Sequence, residues 1–548
     1  MRTEQAPVGR GQSDEDARGP GCGRARGLLS WSLAAALATA ILIILSSPGV
    51  TSWRPLSLLA WLAVVPLLAV LPRQSVKGAF LLGWLAGVVV NLGLCLWFPQ
   101  LLARFAGLHP VLAVLATVAI ATYQGLGWAA WAAVTRAWSS ALPMPLLAPA
   151  AMVIIERWMP MVFPYSLGLT QYRLLTVAQA AELGGPHVVT FLMVLVGATV
   201  AAALTARRSG KPWPWTAIAV TGGVLMAMVV FGQWRLATTA AVRAKAPRLR
   251  VGLVQGGEVQ TGWGPSFGDP VALLQRYQRL SAQIEQAGAP LDLLLWPEDA
   301  NPLLLRHDGA HDYPLQSVRR IRRGFQSPLV FGVTTVDVET RGIYNSAAFL
   351  AADGRLQVFY DKVRLIFFSE WLPPFMEGWS SRKLYQPGTR LEPLVLSVPG
   401  RDGRPARQVP ISVFICFEAI FPTKVRELMS RGPELLVNLS DDSWFGDTLE
   451  PEQHLSHTVF RAIESRRDLV RAAGSGISAF IAATGEIRQR AEISRSVSEL
   501  GGLVDQDVRL LQQPGLYAAL GDTFCGWCLV VVVVGGGTKL RRRDSARG

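Results

Sequence analysis

Three short segments place reactive side chains directly after apolar runs. Leu293–Leu295 leads through Trp296-Pro297 into Glu298, a strand-like run ending at Tyr360 leads through Asp361 into Lys362, and Val413-Phe414-Ile415 leads into Cys416, then Phe417 and Glu418. A glutamate at the end of a buried run is partly desolvated. Desolvation raises a carboxyl pKa and suits it to general base work near neutral pH. A lysine after a strand can give a charge-assisted hydrogen bond to an oxyanion. A cysteine is the strongest side-chain nucleophile once another group takes its proton. His307, His311, His454 and His457 stand in no recognisable Cys–His protease context. Glu298 is therefore the better candidate base. Taken singly, a solvated acidic loop, a surface lysine and a buried cysteine acting as a small hydrophobe are ordinary readings. Taken together, the three types point to cysteine acyl chemistry.

The elements around them alternate. Strands are expected at Leu249–Gln255, Leu291–Pro297, Leu329–Thr335, Ser346–Ala351, Gln357–Tyr360, Ile411–Phe417, Leu435–Leu439 and Ile477–Ala482. Helices are expected at Pro270–Ala287, Pro314–Arg323, Thr423–Arg431 and Pro451–Arg467. Strand–helix alternation of this kind predicts an α/β sandwich, with reactive groups at strand ends. Cysteines stand at Cys22, Cys95, Cys416, Cys525 and Cys528, and only Cys416 falls in this globular region. An internal disulfide there is excluded. Cys525 and Cys528 sit in an apolar stretch and read as lipid-phase packing.

The rest of the 548 residues is far more apolar. Runs of spanning length lie at Leu28–Leu45, Pro55–Leu71, Gly78–Phe98, Val111–Thr135, Leu142–Phe163, Val188–Leu204 and Trp213–Phe231, with another near Leu516–Gly537. These predict an α-helical membrane bundle of about eight spans, since crossing the hydrocarbon core takes roughly 20 apolar residues. The expected domains are a disordered tail over 1–27, a membrane domain over 28–235, a catalytic domain over 248–510, a last span over 515–537 and a basic tail over 538–548. The chain carries 53 basic and 39 acidic residues, a formal net charge of +14. Much of the surplus flanks the spans. With the N-terminus in the cytoplasm, the positive-inside rule puts the globular domain outside. No zinc-finger spacing, recognition helix or basic-aromatic platform is present, which argues against nucleic acid. No cofactor or metal is expected.

In the order Glu298, Lys362, Cys416, the sequence resembles the nitrilase superfamily. The run Asn438-Leu439-Ser440-Asp441-Asp442-Ser443-Trp444-Phe445-Gly446 is similar to that superfamily, as are Val254-Gln255 and the pair Glu464 and Arg467. Spans before and after such a domain narrow the resemblance to the apolipoprotein N-acyltransferase family, from about Leu28 to Val534. Glu156-Arg157, Phe163-Pro164-Tyr165 and Gly168-Leu169-Thr170-Gln171 look like that family's membrane-domain signature.

The resemblance implies a nitrilase-like αββα sandwich beside the bundle, in the bacterial inner membrane and facing the periplasm. It implies a ping-pong reaction. A phospholipid donates its acyl chain to Cys416 as a thioester, and a diacylated lipoprotein accepts it on its N-terminal α-amino group. Glu298 would be the base, Lys362 the oxyanion stabiliser and Cys416 the nucleophile. Glu370 and Glu418 would be supporting carboxylates. Phe417, Trp263 and Trp444 would be aromatics of the substrate site. The sequence departs from the family pattern at Phe367-Phe368-Ser369, Gly256-Gly257, Asp441-Asp442-Ser443 and Ser475. A membrane-anchored amidase and a catalytically impaired scaffold are the alternatives.

Overall fold

The computed structural model describes residues 20–50, 53–105, 107–257, 269–288, 290–367, 370–372, 384–400, 403, 405–491 and 501–544. Its first half is helical: α1 (Pro20–Ser46), α2 (Val65–Val70), α3 (Val76–Leu94), α4 (Phe98–Phe105), α5 (Pro110–Trp138), α6 (Met144–Trp158), α7 (Leu175–Ala178), α8 (Pro186–Arg208) and α9 (Trp215–Lys245). Among the described residues, 5 helical stretches are long and apolar enough to cross a membrane: Pro55–Arg73, Val76–Leu94, Pro110–Trp138, Pro186–Arg208 and Trp215–Lys245. Shorter apolar helices cover Ser30–Ser46 and Thr523–Thr538. Small residues let these helices approach closely. A Cβ on Gly87 of α3 would collide with Trp128 and Gly125 of α5.

Two boundaries differ from expectation. Helix α1 begins at Pro20, inside the expected tail, whereas residues 1–19 lie outside the described residues. Helix α9 runs 31 residues to Lys245, so the expected domain limit at 235 falls inside it. Nothing in its sequence stops the helix earlier, because Gln233–Lys245 contains neither Gly nor Pro.

The second half holds two sheets. One is 7-stranded and ordered β13-β1-β2-β4-β5-β6, with β3 also on β4. Its strands are β1 (Arg248–Gln255), β2 (Leu293–Leu295), β3 (Asn301–Arg306), β4 (Leu329–Val336), β5 (Ile343–Leu350), β6 (Leu356–Asp361) and β13 (Gly501–Arg509). The other is 6-stranded and ordered β12-β11-β10-β9-β8-β7, from β7 (Leu394–Val398), β8 (Arg407–Ile415), β9 (Leu435–Ser440), β10 (Leu469–Ala473), β11 (Ala479–Ile481) and β12 (Ile487–Arg490).

Leu249, Val251, Leu253, Leu293 and Leu295 of the first sheet share one core with Val413, Ile415, Val437, Leu439 and Val470 of the second. The outer face of the first sheet packs Leu294, Trp296 and Phe331 against Leu273, Leu274 and Tyr277 of α10 (Pro270–Gln286). The second sheet carries α11 (Pro422–Met429) and α12 (Glu450–Ser465), whose Val425, Leu428, Leu455 and Val459 join the shared core. The result is an αββα sandwich.

The helix expected at Pro314–Arg323 is replaced by turns. Side chains compete there for the backbone. Asp312 accepts from the N–H groups of Ile321 (2.9 Å) and Arg322 (3.0 Å), and Arg320 donates to Tyr313 O at 2.6 Å.

The chain ends with α13 (Leu516–Leu520) and α14 (Thr523–Asp544), which returns to pack on α6. The buried carboxylate of Glu182 ties the two halves together. It accepts from Arg235 of α9 (2.7 Å), from Arg466 just after α12 (2.5 Å) and from the Leu516 N–H (2.9 Å). Arg157, after Glu156 in α6, pairs with Asp522 at 2.6 Å, while Glu156 accepts from Ser166 Oγ, Leu167 N and Thr190 Oγ1, each at 2.8 Å. The two neighbours therefore serve different partners.

Candidate active site

Strands β2 and β9 are buried throughout and β8 over its C-terminal half, and the parallel register of β8 and β9 sets their C-terminal ends side by side. The loops after them carry Glu298, Cys416 and Asp441-Asp442. Lys362 follows β6 of the first sheet and is fully buried. Gly332 on β4 permits the approach of the Glu298 backbone, since a Cβ there would collide with it.

Glu298 and Lys362 meet. Lys362 Nζ donates to Glu298 Oε1 at 3.1 Å and to Glu370 Oε1 at 2.7 Å. Asn345 Nδ2 bridges the same two carboxylates at 2.7 and 3.2 Å. The Asp441 N–H donates to Glu298 Oε2 at 3.0 Å. Two carboxylates thus share one ammonium. Burial pushes the Glu298 carboxyl up, and Glu370 adds to the push against the opposing pull of Lys362. Burial opposes the charge on Lys362, but Glu298 and Glu370 outweigh it and hold the ammonium well above the usual lysine value.

Cys416 opens the 3-10 turn Cys416–Ile420 immediately after β8, so the expected strand over Ile411–Phe417 stops one residue before the cysteine. Its φ is +48°, in the left-handed region. Such backbone strain costs of order 1–3 kcal/mol and persists only where the surroundings over-determine it. Burial pushes the Cys416 thiol well up and the Glu298 carboxylate pushes it further, while Lys362 pulls it down. The resting sulfur is therefore held toward its thiol form.

Glu418 is a strut. Its carboxylate accepts from Tyr360 Oη (2.7 Å), Ile415 N (2.8 Å), Val363 N (2.9 Å) and Arg364 N (3.0 Å), joining the Cys416 turn to the Lys362 loop. Phe417 packs on Phe163 of the membrane half, with ring centroids 6.2 Å apart. Trp444 is half-buried in the turn after Asp442. Trp263, Phe368 and Ser369 lie outside the described residues.

Beneath the Cys416 turn lies a second network that sequence spacing does not reveal. Arg471 of β10 is fully buried and donates to Asp442 at 2.7 Å, to Asn438 Oδ1 at 2.5 Å and to Ser440 Oγ at 3.2 Å. A Cβ on Gly476 would collide with Asp442, so only glycine fits there. Asp442, Glu450 and His454 offer ligand atoms within 4.8 Å of one another. The Arg471 guanidinium already occupies the cation's place among them, so the cluster does not fit a metal ion. Burial opposes the charge of Asp442, yet Arg471 outweighs it and holds the carboxyl well below the usual carboxylate range. Its neighbour Asp441 meets no such cation and is pushed by burial up to about 8.

A mostly apolar cavity of about 40 Å³ opens in the membrane half, lined by Leu94, Trp128, Ile155 and Phe163 and reaching Gln453 of α12. Phe163 thus touches both this cavity and the aromatic beside the cysteine.

Comparison with known proteins follows the same division of the chain. Residues 29–199 match the apolipoprotein N-acyltransferase N-terminal domain, and residues 250–498 match the carbon-nitrogen hydrolase domain. The apolipoprotein N-acyltransferase of Geobacter metallireducens is 30% identical over 527 residues, covering 93% of this chain and 95% of its own length. That of Bradyrhizobium diazoefficiens is 30% identical over 429 residues, covering 73% of this chain and 74% of its own. Among solved structures, Saccharomyces cerevisiae Nit3 of the nitrilase superfamily is 18% identical, with a TM-score of 0.33 over 48% of this chain and 91% of its own. An amidase from Nesterenkonia sp. is 22% identical, with a TM-score of 0.33 over 50% of this chain and 93% of its own. With both domain matches in place and near-complete coverage by a relative of this identity, the chain belongs to the apolipoprotein N-acyltransferase family and is an acyltransferase with a membrane part and a nitrilase-like α/β domain.

Proposed function

We propose that this enzyme transfers an acyl chain from a phospholipid to the N-terminal α-amino group of a diacylglyceryl-cysteine lipoprotein, through a thioester on Cys416. The observation that carries the reading is the Glu298–Lys362–Glu370 network next to a strained, buried Cys416 thiol. Glu298 takes the thiol proton as sulfur attacks the ester carbonyl. Negative charge collects on the carbonyl oxygen, where Lys362 Nζ stabilises it. The N–H of Phe417 is a second donor, because the first N–H groups of a helical turn lack an intrahelical acceptor. As the intermediate collapses, Glu298 returns the proton to the departing lyso-phospholipid oxygen. The lipoprotein amine then attacks the thioester, Glu298 takes the amine's proton, and the thiol is restored. Two acyl transfers through one sulfur make the kinetics ping-pong.

The supporting features agree with a lipid donor. The apolar cavity reaches the aromatic beside the cysteine through Phe163. We read the short helices Ser30–Ser46, Met144–Trp158 and Thr523–Thr538 as spans in addition to the long ones, for about eight in all. On the positive-inside rule the nitrilase-like domain, 248–510, faces the extracytoplasmic side of the bacterial inner membrane. Both substrates are then anchored in the same leaflet, which raises their effective concentration at the site.

The test is direct. Purified protein is incubated with a phospholipid labelled in its acyl chain, and Cys416 is examined by mass spectrometry. A diacylated lipopeptide is then added. The expected outcome is a labelled Cys416 that loses its label to the peptide amine. Acyl transfer without any Cys416 adduct, even in a rapid quench, overturns the thioester.

A further inference from the structure

We propose that His454 is a positioning residue for this reaction: by holding the Cys416 carbonyl, it aims the Phe417 N–H at the developing oxyanion. The inference rests on Cys416 being the nucleophile.

His454 lies in the first turns of α12 and is buried. Its Nε2 stands 3.1 Å from the Cys416 carbonyl oxygen. A carbonyl only accepts, so Nε2 carries the hydrogen. In the neutral ring Nδ1 is then bare: Arg471 Nη2, 3.2 Å away, donates to it, and Asp442 Oδ1, 3.3 Å away, receives no hydrogen from it. Arg471 is itself fixed by Asp442, Asn438 and Ser440. It therefore selects the tautomer that points a donor at Cys416. Burial, and after it the charge of Arg471, keeps the ring on its neutral side. The buried Glu450 carboxyl sits 3.8 Å away with no hydrogen-bond partner among the described residues, and burial pushes it well above the usual carboxylate range. A neutral acid leaves the Asp442–Arg471 charge balance undisturbed.

The consequence follows from peptide planarity. The carbonyl of Cys416 and the N–H of Phe417 belong to one rigid plane and point to opposite sides. Holding the oxygen fixes the direction of the hydrogen. The Cys416 φ of +48° would otherwise relax toward the ordinary regions, rotating this plane. His454 touches neither sulfur nor substrate in this account. It acts through the backbone of Cys416.

A structural role alone would disturb everything Cys416 does, whereas an aiming role affects only steps that build an oxyanion. Two rates separate them. One is single-turnover acylation of Cys416 by the labelled phospholipid. The other is alkylation of Cys416 by iodoacetamide, a displacement at carbon with no oxyanion. His454→Leu removes the donor. His454→Asn keeps a polar group but sets its amide back near the Nδ1 position. His454→Gln carries an amide out to the Nε2 position.

We expect His454→Leu and His454→Asn to slow acylation by about 100-fold, the usual effect of losing one oxyanion donor, with alkylation little changed. His454→Gln should recover most of the acylation rate. A parallel fall of both rates overturns the aiming role. So does a His454→Gln protein no faster than His454→Asn. If His454→Leu does not fold, the Asn and Gln variants decide the matter. If neither of those folds, His454 is a scaffold residue and the inference fails. Failure of the wild-type protein to label at Cys416 strikes the thioester reading instead, and is seen before any variant is made.

Discussion

Two buried polar networks flank Cys416, and they balance charge differently. On one side Glu298 and Glu370 share the single ammonium of Lys362. On the other Asp442 has the whole guanidinium of Arg471. The adjacent aspartates mark the divide. Asp441 is pushed by burial up to about 8, while Asp442 is held well below the carboxylate range because Arg471 outweighs the same penalty. The lesson is that burial alone does not set proton affinity. The count of carboxylates per cation does. The side with surplus negative charge can exchange a proton with a thiol. On the other side the Asp442 charge is matched by Arg471, and that network holds the backbone.

The sharpest way to break this comparison is on the reactive side. Cys416→Ala and Glu298→Gln should each lower acyl transfer by at least about 1000-fold, as for other nucleophile–base units. Losses that multiply in the double variant would show that the two do not act as a unit.

Next comes the balanced side. Arg471→Met leaves Asp442 buried without its cation, which should cost about 3–5 kcal/mol of stability. Denaturant unfolding in detergent reads it. A loss under about 1 kcal/mol, the range of an exposed pair, would mean that Asp442 is not a paired buried charge.

Glu370→Gln should act more gently, and by titration. Glu370 raises the Glu298 pKa, so removing its charge lets Glu298 ionise more readily. The acid limb of the kcat/KM profile then moves to lower pH. A limb that stays in place, or moves up, separates Glu370 from the base.

Asp441→Asn should act least near pH 4, and only through pH. An unfolded aspartate ionises near 4, whereas folded Asp441 holds its proton to about 8. Between those values the folded chain binds a proton that the unfolded chain does not, so this residue withdraws stability as pH rises. The variant's Tm advantage should therefore grow from pH 4 to 8 by roughly a few degrees and level off above. An advantage independent of pH would put Asp441 in the ordinary carboxylate range.

The reactive side is the more legible in sequence. Glu298, Lys362 and Cys416 each end an apolar run, a local signal. The balanced side has none. Arg471 sits inside the short strand Leu469–Ala473, where a charge argues against a buried strand, and only Asp442, from a different element, explains it. His454 reads as one polar residue of an amphipathic helix. Strands β3, β7, β10, β12 and β13 were equally hidden. β13 opens with Gly501-Gly502 and carries the polar run Asp505-Gln506-Asp507, and its place is set by antiparallel pairing with β1, far away in sequence. The turns over 314–323 show the reverse error, in which a helix-like pattern loses to the carboxylate of Asp312.

Glu182, clasped by Arg235, Arg466 and the Leu516 N–H, has a mechanical consequence. It rivets the helix that carries His454 to the bundle at both the entry and the exit of the nitrilase-like domain. A domain so fastened is braced against the bundle at both of its connections. On the proposed reaction, Cys416 then works at one fixed height, and a lipid donor and a lipid-anchored acceptor reach it by drifting in the plane of the bilayer.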